Sequence, residues 1–149
     1  MSLIVLLKII HVFAAITAVG ANVTYTYWLR YAGQDRDRLA WTLKGISRLD
    51  NFIATPAYIV LFITGFLMVI GGAFTFQTGW IVAAIALYVV VVVVGVAFYA
   101  PALRRQIAEA EVDPTSPAYA AEARRTNVFG VITTVVVLII VVLMVAKPF

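Results

Sequence analysis

The chain has 149 residues, no cysteine, a formal charge of +4, and 64% hydrophobic against 12% charged residues, with a mean hydropathy of +1.03. Soluble domains carry roughly 45–50% apolar and about 25% charged residues, so this is an integral membrane protein. Without thiols it has no disulfide, thiolate nucleophile, iron–sulfur cluster or thiolate metal site.

A membrane-spanning helix needs about 20 apolar residues, and four stretches qualify, at about 3–29, 52–71, 80–100 and 127–146. They use most of the chain, so a single integral membrane domain over 1–149 is expected, an all-α bundle of four transmembrane helices. The first span, LIVLLKIIHVFAAITAVGANVTYTYWLR, is too long for a cleavable signal and has no clear small-x-small site, so it is expected to remain. At 100° per residue its polar groups, Lys8, His11 and Asn22, share one stripe with Ala15, Ala18 and Tyr25. Ile9, Phe13, Val23 and Tyr27 lie opposite. The stripe should face protein and the other side lipid.

Between Gly33 and Asp50 the polar sequence GQDRDRLAWTLKGISRLD spaces Leu39, Leu43 and Ile46 at i, i+4, i+7. This fits a short amphipathic helix against the bundle end or the headgroups. A solvated basic loop accounts for the charges equally well. The second span opens with Asp50 as an N-cap, or with Thr55 as the cap and Pro56 in the first helical position, where its missing N–H costs nothing. If the helix starts earlier, Pro56 should kink it near Phe52. Gly71-Gly72 ends it, and a short uncharged connection from Ala73 to Gly79 leads to Trp80.

Six consecutive valines, Val89 to Val94, lie in the third span, where lipid demands internal backbone pairing and therefore a helix. After Pro101, ALRRQIAEAEVD and then Ser116-Pro117 predict that the last two helices continue beyond the membrane as a charged hairpin turning at Asp113 to Pro117. Nine of the eleven basic residues follow spans one and three, leaving Lys8 and Lys147 on the other side. The positive-inside rule gives both termini outside, N-out and C-out. The charge is a topology signal, and no nucleic-acid partner is expected.

Ionisable groups at membrane depth mark functional positions, and His11 is the one histidine. It lies roughly 12 Å into the first helix at 1.5 Å per residue, where an imidazole must find a hydrogen bond or a metal. No Asp or Glu falls in an apolar core, which disfavours proton- or cation-coupled transport. An inward histidine in a four-helix bundle offers an axial position to b-type haem iron, and Ala14, Ala15 and Ala18 leave space beside it. The candidate cofactor residues are His11 as the metal ligand, Met68 as a second axial donor, Lys8 for a haem propionate, and Asn22. A second copy of His11 across a homo-oligomer could replace Met68. The other reading needs no cofactor: His11 bonds to a neighbouring helix through Asn22, Tyr25 or a threonine, and Lys8 snorkels to the interface. The residues assign no catalytic step and no particular redox partner.

The run LLKIIHVFAAITAVG, with Lys8 and His11 three apart and Gly20 following, resembles the first helix of a group of small bacterial four-helix membrane proteins. These are an uncharacterised integral membrane family, the copper-resistance protein D family and the haem-dependent membrane protoporphyrinogen oxidases. RLDNFIATPAYIVLFITGFLMV, with Arg48, Asp50, Pro56 and Gly65, is similar to the uncharacterised family. The resemblance implies a bacterial inner-membrane location and, from the oxidases, an axial haem role for His11 with Lys8 its neighbour. Where the oxidases carry Arg and His after the first helix, this chain has TYTYWLRYAG. One histidine and three scattered methionines do not make a copper site.

Overall fold

The computed structural model describes residues 2–148 apart from Ala73 and Phe76. Its described residues form six α-helices and no strand: α1 (Leu3–Ala32), α2 (Arg36–Leu49), α3 (Thr55–Ile70), α4 (Gly79–Val93), α5 (Ala100–Val112) and α6 (Pro117–Ala146). π-helical segments Asp50–Ala54 and Val94–Tyr99 join α2 to α3 and α4 to α5 without a break. The result is four rods of 30, 35, 34 and 30 residues, each long and apolar enough to cross a membrane. At 1.5 Å per residue each measures about 45–52 Å, well beyond a hydrocarbon layer of about 30 Å. The excess is the charged sequence, which continues the bundle past one membrane face.

Prolines explain both π segments. Pro56 and Pro101 lack the N–H that would close a helical turn, and their rings crowd the carbonyls of Phe52 and Ala97. In each case a wider turn lies immediately upstream, bonded from Thr55 N–H to the Asp50 carbonyl and from Ala100 N–H to the Gly95 carbonyl. Asp50 has helical dihedrals, φ −62° and ψ −48°, and caps nothing. Neither N-cap expected for the second span therefore forms, and the distortion expected near Phe52 takes their place.

Other boundaries follow local chemistry. Ser2, Asp35 and Ser116 cap α1, α2 and α6 by accepting from the N–H of Val5, Arg38 and Tyr119. Gly33 and Gly72 take positive φ just after α1 and α3. Of the Ala73 to Gly79 connection, Ala73 and Phe76 lie outside the described residues, as do Met1 and the terminal Phe149.

Inside the membrane, α1 and α3 pack through Ala14, Ala18 and Ala57, with Tyr58, Val60 and Leu61 around them, and α4 packs along α6. Ile9, Phe13, Val23 and Tyr27 are exposed, as expected for the lipid side of α1. Beyond the membrane, Leu39, Leu43 and Ile46 of α2 are buried against Leu103 and Ala110 of α5 and Tyr25 and Ala32 of α1. The amphipathic reading of this stretch holds, but its apolar face meets α5 rather than headgroups, because α2 is a direct extension of α3. The charged hairpin also forms. Glu122 pairs with Arg105 at 3.1 Å and with Arg125 at 2.8 Å, and Lys44 pairs with Glu111. The basic partners are exposed while Glu122 is largely covered, so the pairs fix orientation more than stability.

Candidate functional site

His11 comes from the polar stripe of α1, and the α1–α3 pairing decides what it meets. Along one face of the second rod Ala57, Thr64 and Met68 are buried and Leu61 is half-buried, and Thr64 falls opposite His11. The imidazole Nδ1 and the Thr64 Oγ1 are 2.8 Å apart. The same hydroxyl donates to the Val60 carbonyl at 2.6 Å. A hydroxyl has one proton, and the Val60 contact uses it. With its proton directed at the Val60 carbonyl, Thr64 accepts from Nδ1–H, and the ring, which also hydrogen-bonds the Leu61 backbone, keeps Nε2 as its lone-pair nitrogen. Gly65, next in sequence, gives the ring its room, since a β-carbon there would lie 3.3 Å from His11 Cε1.

The other sequence candidates divide between two levels. Met68 is buried on the same face of α3 as Thr64, one turn farther from the charged end. Lys8, one turn from His11 in the same direction, places its Nζ 5.9 Å from the Phe74 ring centroid. Phe74 also holds the Lys147 ammonium at 5.3 Å and meets Trp80 edge to face. His11, Met68 and Lys8 thus occupy one end of the α1–α3 pair.

Asn22 does not join them. Eleven residues along α1, about 16 Å at 1.5 Å per residue, it donates to the Ala18 carbonyl at 3.0 Å and to the Tyr58 hydroxyl at 2.9 Å. Tyr88 of α4 donates to the Tyr58 carbonyl at 2.8 Å. Deeper toward the charged end, half-buried Asp50 lies within electrostatic reach of the Tyr25, Tyr58 and Tyr99 hydroxyls. The Tyr25 hydroxyl is buried with no hydrogen-bond partner among the described residues. Asp50 reads from sequence as a cap outside the core; the π segment instead carries it into the bundle beside three tyrosines.

Of the residues around His11, Gly65 belongs to the pattern visible in the second span, whereas Thr64 escapes a reading of motifs. The signal for Thr64 was present as the spacing of Ala57, Leu61, Thr64 and Met68 at i, i+4, i+7, i+11, a protein-facing line in an otherwise apolar span. The donor set limits the ligand. Among the described residues no three His, Cys, Asp or Glu side chains converge, so protein donors alone do not build a metal site. A group that brings its own equatorial donors needs only the one Nε2 that His11 offers, and the site fits a macrocycle-borne metal in that respect.

Comparison with known proteins agrees with this architecture. The family model DUF2269, described as a predicted integral membrane protein, matches residues 5–148. A curated relative, a protoporphyrinogen IX oxidase of Helicobacter pylori, is 37% identical over 103 residues, which cover 68% of this chain and 64% of the relative. The match therefore spans a little under two thirds of that protein's length. No solved structure matches.

Proposed function

The chain belongs to the DUF2269 family of integral membrane proteins, and we propose that it holds b-type haem on His11 for electron transfer or haem-linked redox chemistry. The observation that carries this reading is the relay from His11 Nδ1–H to Thr64 to the Val60 carbonyl. Histidines that ligate metals characteristically donate their other ring nitrogen in this way, which fixes the tautomer and sharpens the basicity of the ligating atom. The name of the Helicobacter pylori relative, an oxidase of a tetrapyrrole, supports a porphyrin over other ligands.

In this reading each residue has a limited task. Thr64 holds the ring and its proton. Gly65 keeps α3 clear of it. Lys8 supplies a positive charge for a propionate at the end of the bundle that the positive-inside rule places outside, and Met68 is a sulfur donor buried on the same α3 face as Thr64. Asn22 is too far along α1 to touch a group on His11, and its bond to Tyr58 makes it part of helix packing. When bound, haem supplies one-electron chemistry at its iron. The location is the plasma membrane of a bacterium, and a homo-oligomer would cover the half-buried edge of His11.

A second reading rests on the same hydrogen bond. In a cofactor-free accessory subunit, His11 to Thr64 is a helix–helix bond in the apolar interior, worth about 1 kcal/mol. An absorption spectrum of protein purified from haem-replete bacterial membranes separates the two. The haem reading expects a Soret band that disappears in His11→Ala and shifts in Thr64→Val. Absence of the band from the wild type sinks it, and a band unchanged in His11→Ala removes the ligand assignment.

A further inference from the structure

One turn beyond His11, the uncharged end of the bundle gathers two cations on one ring. Lys8, near the start of α1, and Lys147, just past the end of α6, place their ammonium groups 5.9 Å and 5.3 Å from the Phe74 ring centroid. Lys147 also lies 6.0 Å from the Trp80 ring centroid. Phe74 is held in turn by Trp80, which it meets edge to face at 5.3 Å and which is buried. Two like charges drawn to one ring repel each other, and at an exposed site an aromatic face attracts a cation only weakly. No carboxylate side chain at this end offsets the repulsion, because all seven acidic residues fall within 35–50 or 109–122, toward the other end of the rods. The arginines there stand among carboxylates, and these two lysines do not.

The backbone of Lys147 is a second, independent observation. It is the one non-glycine residue with positive φ among the described residues, at φ 46° and ψ 57°, and it precedes Pro148, a position that ordinarily keeps the backbone extended. Its N–H closes α6 on the Leu143 carbonyl. Glycine would make the same left-handed cap without the steric cost of a β-carbon. A lysine stands there instead, and the reversal of the chain carries its side chain back over Phe74 and Trp80.

We propose that Lys8 and Lys147 form a two-point clamp for a dianion, the two carboxylates on one edge of a macrocycle held at His11, with one ammonium for each carboxylate. The clamp rests on the haem reading of His11 and adds Lys147 to it. Charge selects this ligand class over a lipid headgroup, since two cations match a dicarboxylate and a phosphodiester carries a single negative charge.

The test titrates the full chain, haem-free in detergent, with protohaem and with its dimethyl ester, which has the same iron and macrocycle but no free carboxylate; the Soret band reports retention. Wild type should hold the diacid about tenfold more tightly than the ester, at about two- to fivefold for each exposed ion pair. Lys8→Gln and Lys147→Gln should each remove one such step, the double variant should not distinguish the two forms, and Lys147→Arg should keep the preference. The band position should stay constant throughout, because neither lysine is the iron ligand, and the preference should shrink at high salt. Lys147→Gly should lower the preference while raising the melting temperature of the haem-free protein, a combination that a merely capping lysine would not give. Equal retention of acid and ester by a protein that shows the band, or a preference untouched by Lys147→Gln, overturns the clamp and leaves His11 as the ligand; it is also the result expected if the lysines serve lipid phosphates. Absence of a band with either form removes the haem and the clamp together.

Discussion

Gly65 stands against His11 so closely that a β-carbon on it would lie 3.3 Å from the imidazole Cε1. The ring cannot simply retreat, because its Nδ1 is bonded to Thr64 at 2.8 Å. Gly65→Ala should therefore lengthen or break that bond, with overpacking costing about 1–3 kcal/mol. A lower melting temperature in detergent and loss of the fixed Nδ1–H tautomer in the histidine nitrogen spectrum are expected. Thr64→Ser should keep the tautomer, and Thr64→Val should lose it. A Gly65→Ala protein with wild-type stability and an unchanged tautomer would show that the ring has slack.

How much of this arrangement was legible beforehand depends on the kind of information each residue carries. The polar stripe of α1 is a property of one helix, and its angular positions follow from sequence. The partner is a property of two helices. Several threonines could have answered His11, and the register that selects Thr64 is set by Ala14 and Ala18 meeting Ala57, a contact between small residues that leaves almost no compositional trace. Asn22 misleads for the same reason, since it shares the stripe with His11 but lies three turns away along it. Asp50 shows another limit. An aspartate before an apolar span and a proline reads as a helix start, and only the continuous helix through the π segment places it inside the bundle.

The extension beyond the membrane should depend on Leu43, which is completely buried among α1, α2 and α5. Leu43→Ala leaves a cavity in a region that lipid cannot fill, at a cost of about 2–5 kcal/mol. Amide exchange should accelerate in α2 and α5 while the apolar parts of α3 and α4 stay protected. Uniform loosening of all four rods would instead mean that the extension and the membrane bundle unfold as one unit.

Orientation rests on nine basic residues gathered at one end of the bundle. Alkaline phosphatase fused after Phe149 should be active and a fluorescent protein at the same site dark, with the opposite pattern for insertions at Gln34 or Pro114. An active cytoplasmic reporter at the C-terminus would invert the topology and would move the His11 site to the inner half of the membrane.

The turn between α5 and α6 should respond to acid. Asp113 accepts from both the Thr115 hydroxyl, at 2.7 Å, and the Thr115 N–H, at 2.8 Å. These bonds, the hydroxyl's first, hold its carboxyl below the usual carboxylate range, and the charge of Arg36 adds to the effect. A depressed folded-state pKa means that the stabilisation is fully present above the ordinary aspartate value of about 3.9 and is lost as pH falls through the lower folded value. At neutral pH the protection factor of the Thr115 amide should be constant, and it should decline only under strongly acidic conditions, after correction for intrinsic exchange. Asp113→Asn, which cannot titrate, should flatten that decline. A wild-type decline that begins well above the ordinary aspartate range would show that Asp113 is not the group that controls the turn.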